Sequence, residues 1–179
     1  MGRLHASGFL FVRFVLVLAL WSFSASKANA FEKQWHLGLG AGVSVPSTAY
    51  DAAASVSLHG AYGISDVFDA RLTATSALLH PSSEKGERNS LSLVTLGLVY
   101  KLDVIEWVPY CGARAGAYLF GSSPLAGFVR QGGSVGGMCG IDYSFTRSVA
   151  VGVEVAHDFL LPEGQLFSAL LHAEYRWGF

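Results

Sequence analysis

The stretch Gln34-Trp35-His36-Leu37-Gly38-Leu39-Gly40-Ala41-Gly42-Val43-Ser44-Val45 decides the fold. Trp35, Leu37, Leu39, Ala41, Val43 and Val45 share one parity, and His36, Gly38, Gly40, Gly42 and Ser44 share the other. Successive side chains of a β-strand point to opposite faces, so six consecutive alternations read as a strand with one apolar and one polar face.

Seven further segments repeat the pattern. Ala53 to Ile64 sets Val56, Leu58, Tyr62 and Ile64 against Ser55, Ser57, His59 and Gly63. Phe68 to Leu79 sets Phe68, Leu72 and Leu78 against Asp69, Arg71, Thr73 and Thr75. Ser90 to Asp103 sets Val94, Leu96, Leu98, Tyr100 and Leu102 against Thr95, Gly97, Lys101 and Asp103, although Leu91 and Leu93 fall on the polar parity. A bulge or a partly apolar interior accounts for those two. Trp107 to Phe120, Phe128 to Tyr143, Val149 to Phe159 and Phe167 to Phe179 complete the set. Within each segment the charges oppose the long apolar row.

The segments exceed the usual strand of about 5–6 residues and match the 9–11 needed to cross a bilayer at a tilt. Their connections alternate. Ser65-Asp66, Asp103 to Glu106 and Ser144 to Arg147 are tight and polar, whereas Pro46 to Asp51, His80 to Asn89, Gly121 to Gly127 and Leu161 to Gly164 are on average longer. Membrane barrels have this rhythm of short turns on one side and longer loops on the other.

Composition selects the same class. Charged residues are 14% of the 179, with 21 glycines and 13% aromatics, and mean hydropathy is +0.40; soluble domains carry about 25% charged residues. A soluble barrel would turn its apolar face inward. Here the polar face is rich in glycine (Gly38, Gly40, Gly42, Gly112, Gly116, Gly136 and Gly140), which suits the narrow inside of eight strands. The row of Val, Leu, Trp and Tyr is a surface for lipid. Net charge is −1, so there is no basic footprint for nucleic acid.

The first 30 residues read as a secretory leader: Arg3, an apolar run from Phe9 to Trp21 interrupted by Arg13, and Ala28-Asn29-Ala30 before a cleavage point at Phe31. An uncleaved anchor is the alternative, but Arg13 leaves the run short of the roughly 20 residues of a span. The expected architecture is therefore a signal peptide at 1–30 followed at 31–179 by an all-β, eight-stranded, antiparallel up-and-down transmembrane β-barrel.

Aromatics gather at strand ends. Trp35, Tyr62, Phe68, Tyr100, Trp107, Tyr143, Phe145, Tyr175 and Trp177 fall at the ends with short turns, and Phe120, Phe128, Phe159 and Phe167 at the others. Two belts are expected where a barrel meets the headgroups. The ending His172-Ala173-Glu174-Tyr175-Arg176-Trp177-Gly178-Phe179 resembles the C-terminal signal of outer-membrane β-barrel proteins, and in strand number and rhythm the mature chain is most similar to the OmpA-like and OmpX-like small barrels. The resemblance implies recognition by the barrel-assembly machinery through Tyr175, Trp177 and Phe179, and a setting among outer-membrane lipid and lipopolysaccharide. A monomer is expected, and no cofactor is implied.

The interior is expected to hold a charge network of Asp69, Arg71, Lys101, Asp103, Arg114, Asp142, Glu154, Glu174 and Arg176, with Arg130, Asp158, His36, His59 and His172 on the same parity. Enclosed charges must pair, since an isolated one is costly. The network reads as a plug for a structural or interaction protein; a passive small-solute channel is the alternative.

A metal at His36, His59 and His172 lacks supporting spacing. A lipid A-modifying enzyme would need Ser168, His157 and Asp158 in contact, yet His157 and Asp158 point to opposite faces. No catalytic set is expected. Cys111 and Cys139 lie on the lipid-facing parity of consecutive strands. Register permits a cross-strand disulfide, and two separate small apolar residues are equally compatible.

Overall fold

The computed structural model describes residues 33–46, 51–80, 88–102, 106–122 and 129–178. The leader with its cleavage point, together with Asp103, Phe128 and Phe179, lies outside them. Eight strands follow in chain order: β1 (Trp35–Pro46), β2 (Ala53–Gly63), β3 (Phe68–Leu79), β4 (Asn89–Lys101), β5 (Trp107–Phe120), β6 (Gln131–Ser144), β7 (Val149–Leu160) and β8 (Gln165–Trp177). Each pairs antiparallel with its neighbours, and β1 pairs with β8 to close the barrel. Closure removes both sheet edges, the condition for placing backbone polar groups in lipid.

The alternation read from the sequence is the alternation of burial. In β1, Trp35, Leu37, Leu39, Val43 and Val45 face out while His36 and Ser44 are buried. The outer surface is apolar on every strand; Leu39 is 67% exposed and Leu171 68%. Such a face is stable only against lipid.

At the end with the short turns, aromatic pairs form a belt. Trp35 and Tyr62 have ring centroids 4.8 Å apart, Phe68 and Tyr100 5.3 Å, and Trp107 and Tyr143 4.9 Å. At the opposite end the outward aromatics among the described residues are Phe159 and Phe167. Phe120 is not in that belt. It shares the parity of Arg114 and is fully buried inside.

Two boundaries also differ from expectation. β6 begins at Gln131, which leaves Val129 and Arg130 exposed before it, so Arg130 is not an interior residue. β4 runs without interruption against β3 from Asn89 to Tyr100, so no bulge explains Leu91 and Leu93. Both are buried inside, and the interior is partly apolar.

Glycine is demanded where neighbouring backbone approaches most closely. A Cβ at Gly42 would overlap the Ala169 carbonyl and lie 2.9 Å from the Leu170 Cα; one at Gly116 would overlap the Val94 carbonyl and lie 2.7 Å from the Thr95 Cα.

Candidate functional site

The interior is layered along the barrel axis. At the short-turn end and through the middle lies an ionic network contributed by all eight strands. Its hub is Glu174 on β8. One carboxylate oxygen accepts from His36 Nδ1 at 2.9 Å and from Arg176 Nε at 2.6 Å; the other accepts from His59 Nε2 at 3.0 Å. Arg176 also donates to Asp142 Oδ2 at 3.2 Å and to Ser144 Oγ at 3.1 Å, and Asp142 Oδ1 accepts from His172 at 2.9 Å.

A second cluster adjoins the hub. Arg71 donates to Glu154 at 2.9 Å and its other nitrogen lies 3.8 Å from Glu174. Tyr110 donates to the same Glu154 oxygen at 2.9 Å, while the Arg71 guanidinium stacks 4.8 Å above its ring. Arg114 grips Asp158 through two nitrogens and lies 3.8 Å from Glu154. Lys101 pairs with Asp69, and its Nζ lies 3.4 Å from His36 Nδ1.

The charged side chains are buried, and each faces opposite charge within the network, which burial of ions requires. Among the interior residues expected from the sequence, Asp69, Arg71, Lys101, Arg114, Asp142, Glu154, Glu174 and Arg176 join the network; Asp103 lies outside the described residues. Tyr110 was missed. Its parity with Arg114 was the available signal.

Above the ions is a band of small hydroxyl side chains. Ser44, Ser55, Ser57, Thr73, Thr75, Thr95, Ser134 and Ser168 are buried there, and Ser44 and Ser168 share a hydrogen bond of 2.8 Å across the β1–β8 seam. At the long-loop end the interior holds a largely apolar cluster that includes Leu79, Leu91, Leu93, Phe120, Leu160 and Leu166. Each sits within the terminal five residues of its strand.

The candidate constellations resolve as follows. His36 and His59 both serve Glu174 and His172 serves Asp142, so the three imidazoles are occupied by carboxylates. Among the described residues no group of His, Cys, Asp or Glu is disposed to hold a metal. Ser168 bonds Ser44 inside, Asp158 pairs with Arg114 inside, and His157 lies outside with its Nε2 3.1 Å from Gln165 Oε1. The three do not meet. Tyr175 and Trp177 face outward with rings stacked 5.9 Å apart. Cys111 and Cys139 stand opposite one another in register, Cα atoms 4.1 Å apart, joined as a disulfide.

The barrel matches solved structures in shape. The outer membrane protein OprG of Pseudomonas aeruginosa superposes with a TM-score of 0.64 at 14% identity, over 85% of this chain and 100% of that one. It has the fold of the small outer-membrane barrels. Neisserial surface protein A aligns with a TM-score of 0.63 at 13% identity, over 79% of this chain and 95% of that one. The outer membrane enzyme PagL aligns at 0.57 and 12% identity, over 77% and 98%. No protein-family model matches the barrel's sequence, and no curated protein matches it.

Proposed function

We propose that this protein is a structural component of a bacterial outer membrane, available for interactions at the cell envelope, and that its interior is a plug rather than a path. The observation that carries this reading is the continuity of the interior. Ions linked across all eight strands fill one end, and a close-packed apolar layer fills the other. Eight strands enclose a space only just wide enough for side chains. A permeant ion would have to displace hydrogen-bonded partners and then cross the apolar layer without solvation, and each step is unfavourable.

The apolar exterior and the inner aromatic belt support a membrane setting among lipid and lipopolysaccharide. The outward Tyr175 and Trp177 support delivery by the barrel-assembly machinery, after the leader at 1–30 has routed the chain through the inner membrane. Each strand is paired on both edges, which favours a monomer.

Planar-bilayer recording in potassium chloride tests the plug. Baseline current is expected at all voltages the bilayer tolerates. Reproducible conductance steps would instead make the protein a small-solute channel. Sucrose-gradient fractionation of cells tests the location, with the protein expected in the outer-membrane fraction.

A further inference from the structure

The Cys111–Cys139 bond lies where water-soluble chemistry reaches it only before insertion. Both cysteines face outward, on the apolar exterior. Cys111 is four residues beyond Trp107 and Cys139 four before Tyr143, the two rings that pack at the inner belt. Four residues span about 13 Å along a strand, and a tilt of about 45° brings that to roughly 9 Å of depth. The sulfurs therefore sit inside the hydrocarbon zone, on the reading that the barrel spans a membrane. Thiol–disulfide exchange needs a thiolate, and hydrocarbon disfavours an unpaired anion.

The bond also sits where side chains specify strand register least. β6 has glycine at 132, 133, 136, 137 and 140, and register is weakly set in glycine-rich strands. Two of these glycines are not required by space. A Cβ on outward Gly133 would meet nothing closer than 3.9 Å, and one on Gly137 nothing closer than 3.5 Å. Their absent side chains leave Ala117 and Ala113, their partners on β5, with no side chain opposite them on β6. The disulfide continues this same outward row. A slip of one residue would turn Ser134, Met138 and Asp142 towards lipid.

We propose that the Cys111–Cys139 bond is made in the periplasm by a thiol–disulfide oxidoreductase while β5 and β6 are still exposed to water, and that it fixes their register before they enter the membrane. One cysteine thiolate attacks the disulfide of the oxidant and forms a mixed disulfide. The second thiolate then displaces the oxidant's sulfur. The protein loses two electrons and two protons, and the oxidant leaves as a dithiol. Lipid thereafter shields the product from soluble reductants.

Three measurements test this. First, outer-membrane vesicles carrying the protein are treated with a membrane-impermeant phosphine, then denatured and labelled with a polymer-linked maleimide. No adduct is expected unless the phosphine acts on denatured chain. Two adducts without phosphine would overturn the bond, and two after treating intact vesicles would overturn the shielding.

Second, oxidised chain, reduced chain and Cys111→Ala/Cys139→Ala are refolded from urea into short-chain phosphatidylcholine vesicles. The last two are expected to fold at least about tenfold more slowly, because loop closure no longer precedes insertion. Equal rates would overturn the register role. Third, Gly133→Val/Gly137→Val added to the double alanine variant is expected to recover most of the lost rate by supplying the missing outward pairs; no recovery would overturn the explanation. Fractionation of the wild-type chain reads location separately. A soluble wild-type chain would refute the membrane setting, whereas a membrane-bound chain with free thiols would refute only the bond.

Discussion

Replacing Glu174 with alanine should destabilise the barrel from its interior. The carboxylate has three hydrogen-bonded partners, His36, His59 and Arg176, and the Arg71 guanidinium lies 3.8 Å away. It is fully enclosed. Removing one partner of a buried ionic set costs about 3–5 kcal/mol, because the remaining charge stays buried and uncompensated. Arg176 keeps Asp142 and Arg71 keeps Glu154, so the lower half of that range is expected. With a urea dependence of about 2 kcal/mol per molar, the midpoint should fall by about 1.5–2 M. Glu174→Gln keeps the shape and one acceptor, and should cost about 1.5–3 kcal/mol for its weakened charge-assisted bonds.

The assay is urea unfolding in detergent micelles, followed by the fluorescence of belt tryptophans and by the mobility of unheated protein on gels. Combining Glu174→Ala with Arg176→Ala should be less damaging than the sum of the two, by about 0.5–3 kcal/mol, since the two side chains are in contact. A midpoint for Glu174→Ala within about 0.3 M of wild type, under 1 kcal/mol by the same slope, would refute the reasoning. It would mean that water solvates the orphaned partners and that the interior is wet.

Four further outcomes are expected. Phe120→Ala should cost about 3–5 kcal/mol in urea unfolding, as a fully buried aromatic in a packed cluster, yet leave bilayer current at baseline because the ionic layer persists beneath it. Gly116→Val should abolish the heat-modifiable folded band, since its Cβ would run into the Thr95 and Val94 backbone. Leu39→Arg, on the outer face at mid-strand, should cost about 2–4 kcal/mol in refolding into vesicles, where a soluble barrel would tolerate it. Tyr175→Ala/Trp177→Ala should reduce the protein recovered in the outer-membrane fraction while the purified chain still refolds into vesicles.

The fold was legible because period-two alternation records two environments at once, lipid outside and a narrow interior within. The parity of Asp69, Arg71, Lys101, Arg114 and Glu174 placed them inside before any pairing was known. The apolar layer was harder to read. Leu91 and Leu93 looked like breaks in a polar row, and Phe120 like a belt residue, although it shares the parity of Arg114. Belt and cap both put aromatics at strand ends, so position along the strand does not separate them; parity does. The network's connections were not legible, because they depend on closure. Glu174 meets His36 across 138 residues of chain, and only the β1–β8 register brings them together. Tyr110 shows the same limit: its hydroxyl becomes a donor to Glu154 only once β5 and β7 face a common interior.

The placement of Glu174 and Arg176 on the last strand bears on how the barrel reaches its finished state. Until β8 docks on β1, His36 and His59 have no Glu174 carboxylate to accept their protons, and Arg71 has only Glu154. The final seam thus completes an electrical circuit as well as a hydrogen-bonded sheet. A barrel left ajar would leave these cross-strand bonds unmade in a confined space, a state that lipid penalises far more than water does. The interior thereby acts as a proofreader of closure, favouring the sealed cylinder over any open intermediate.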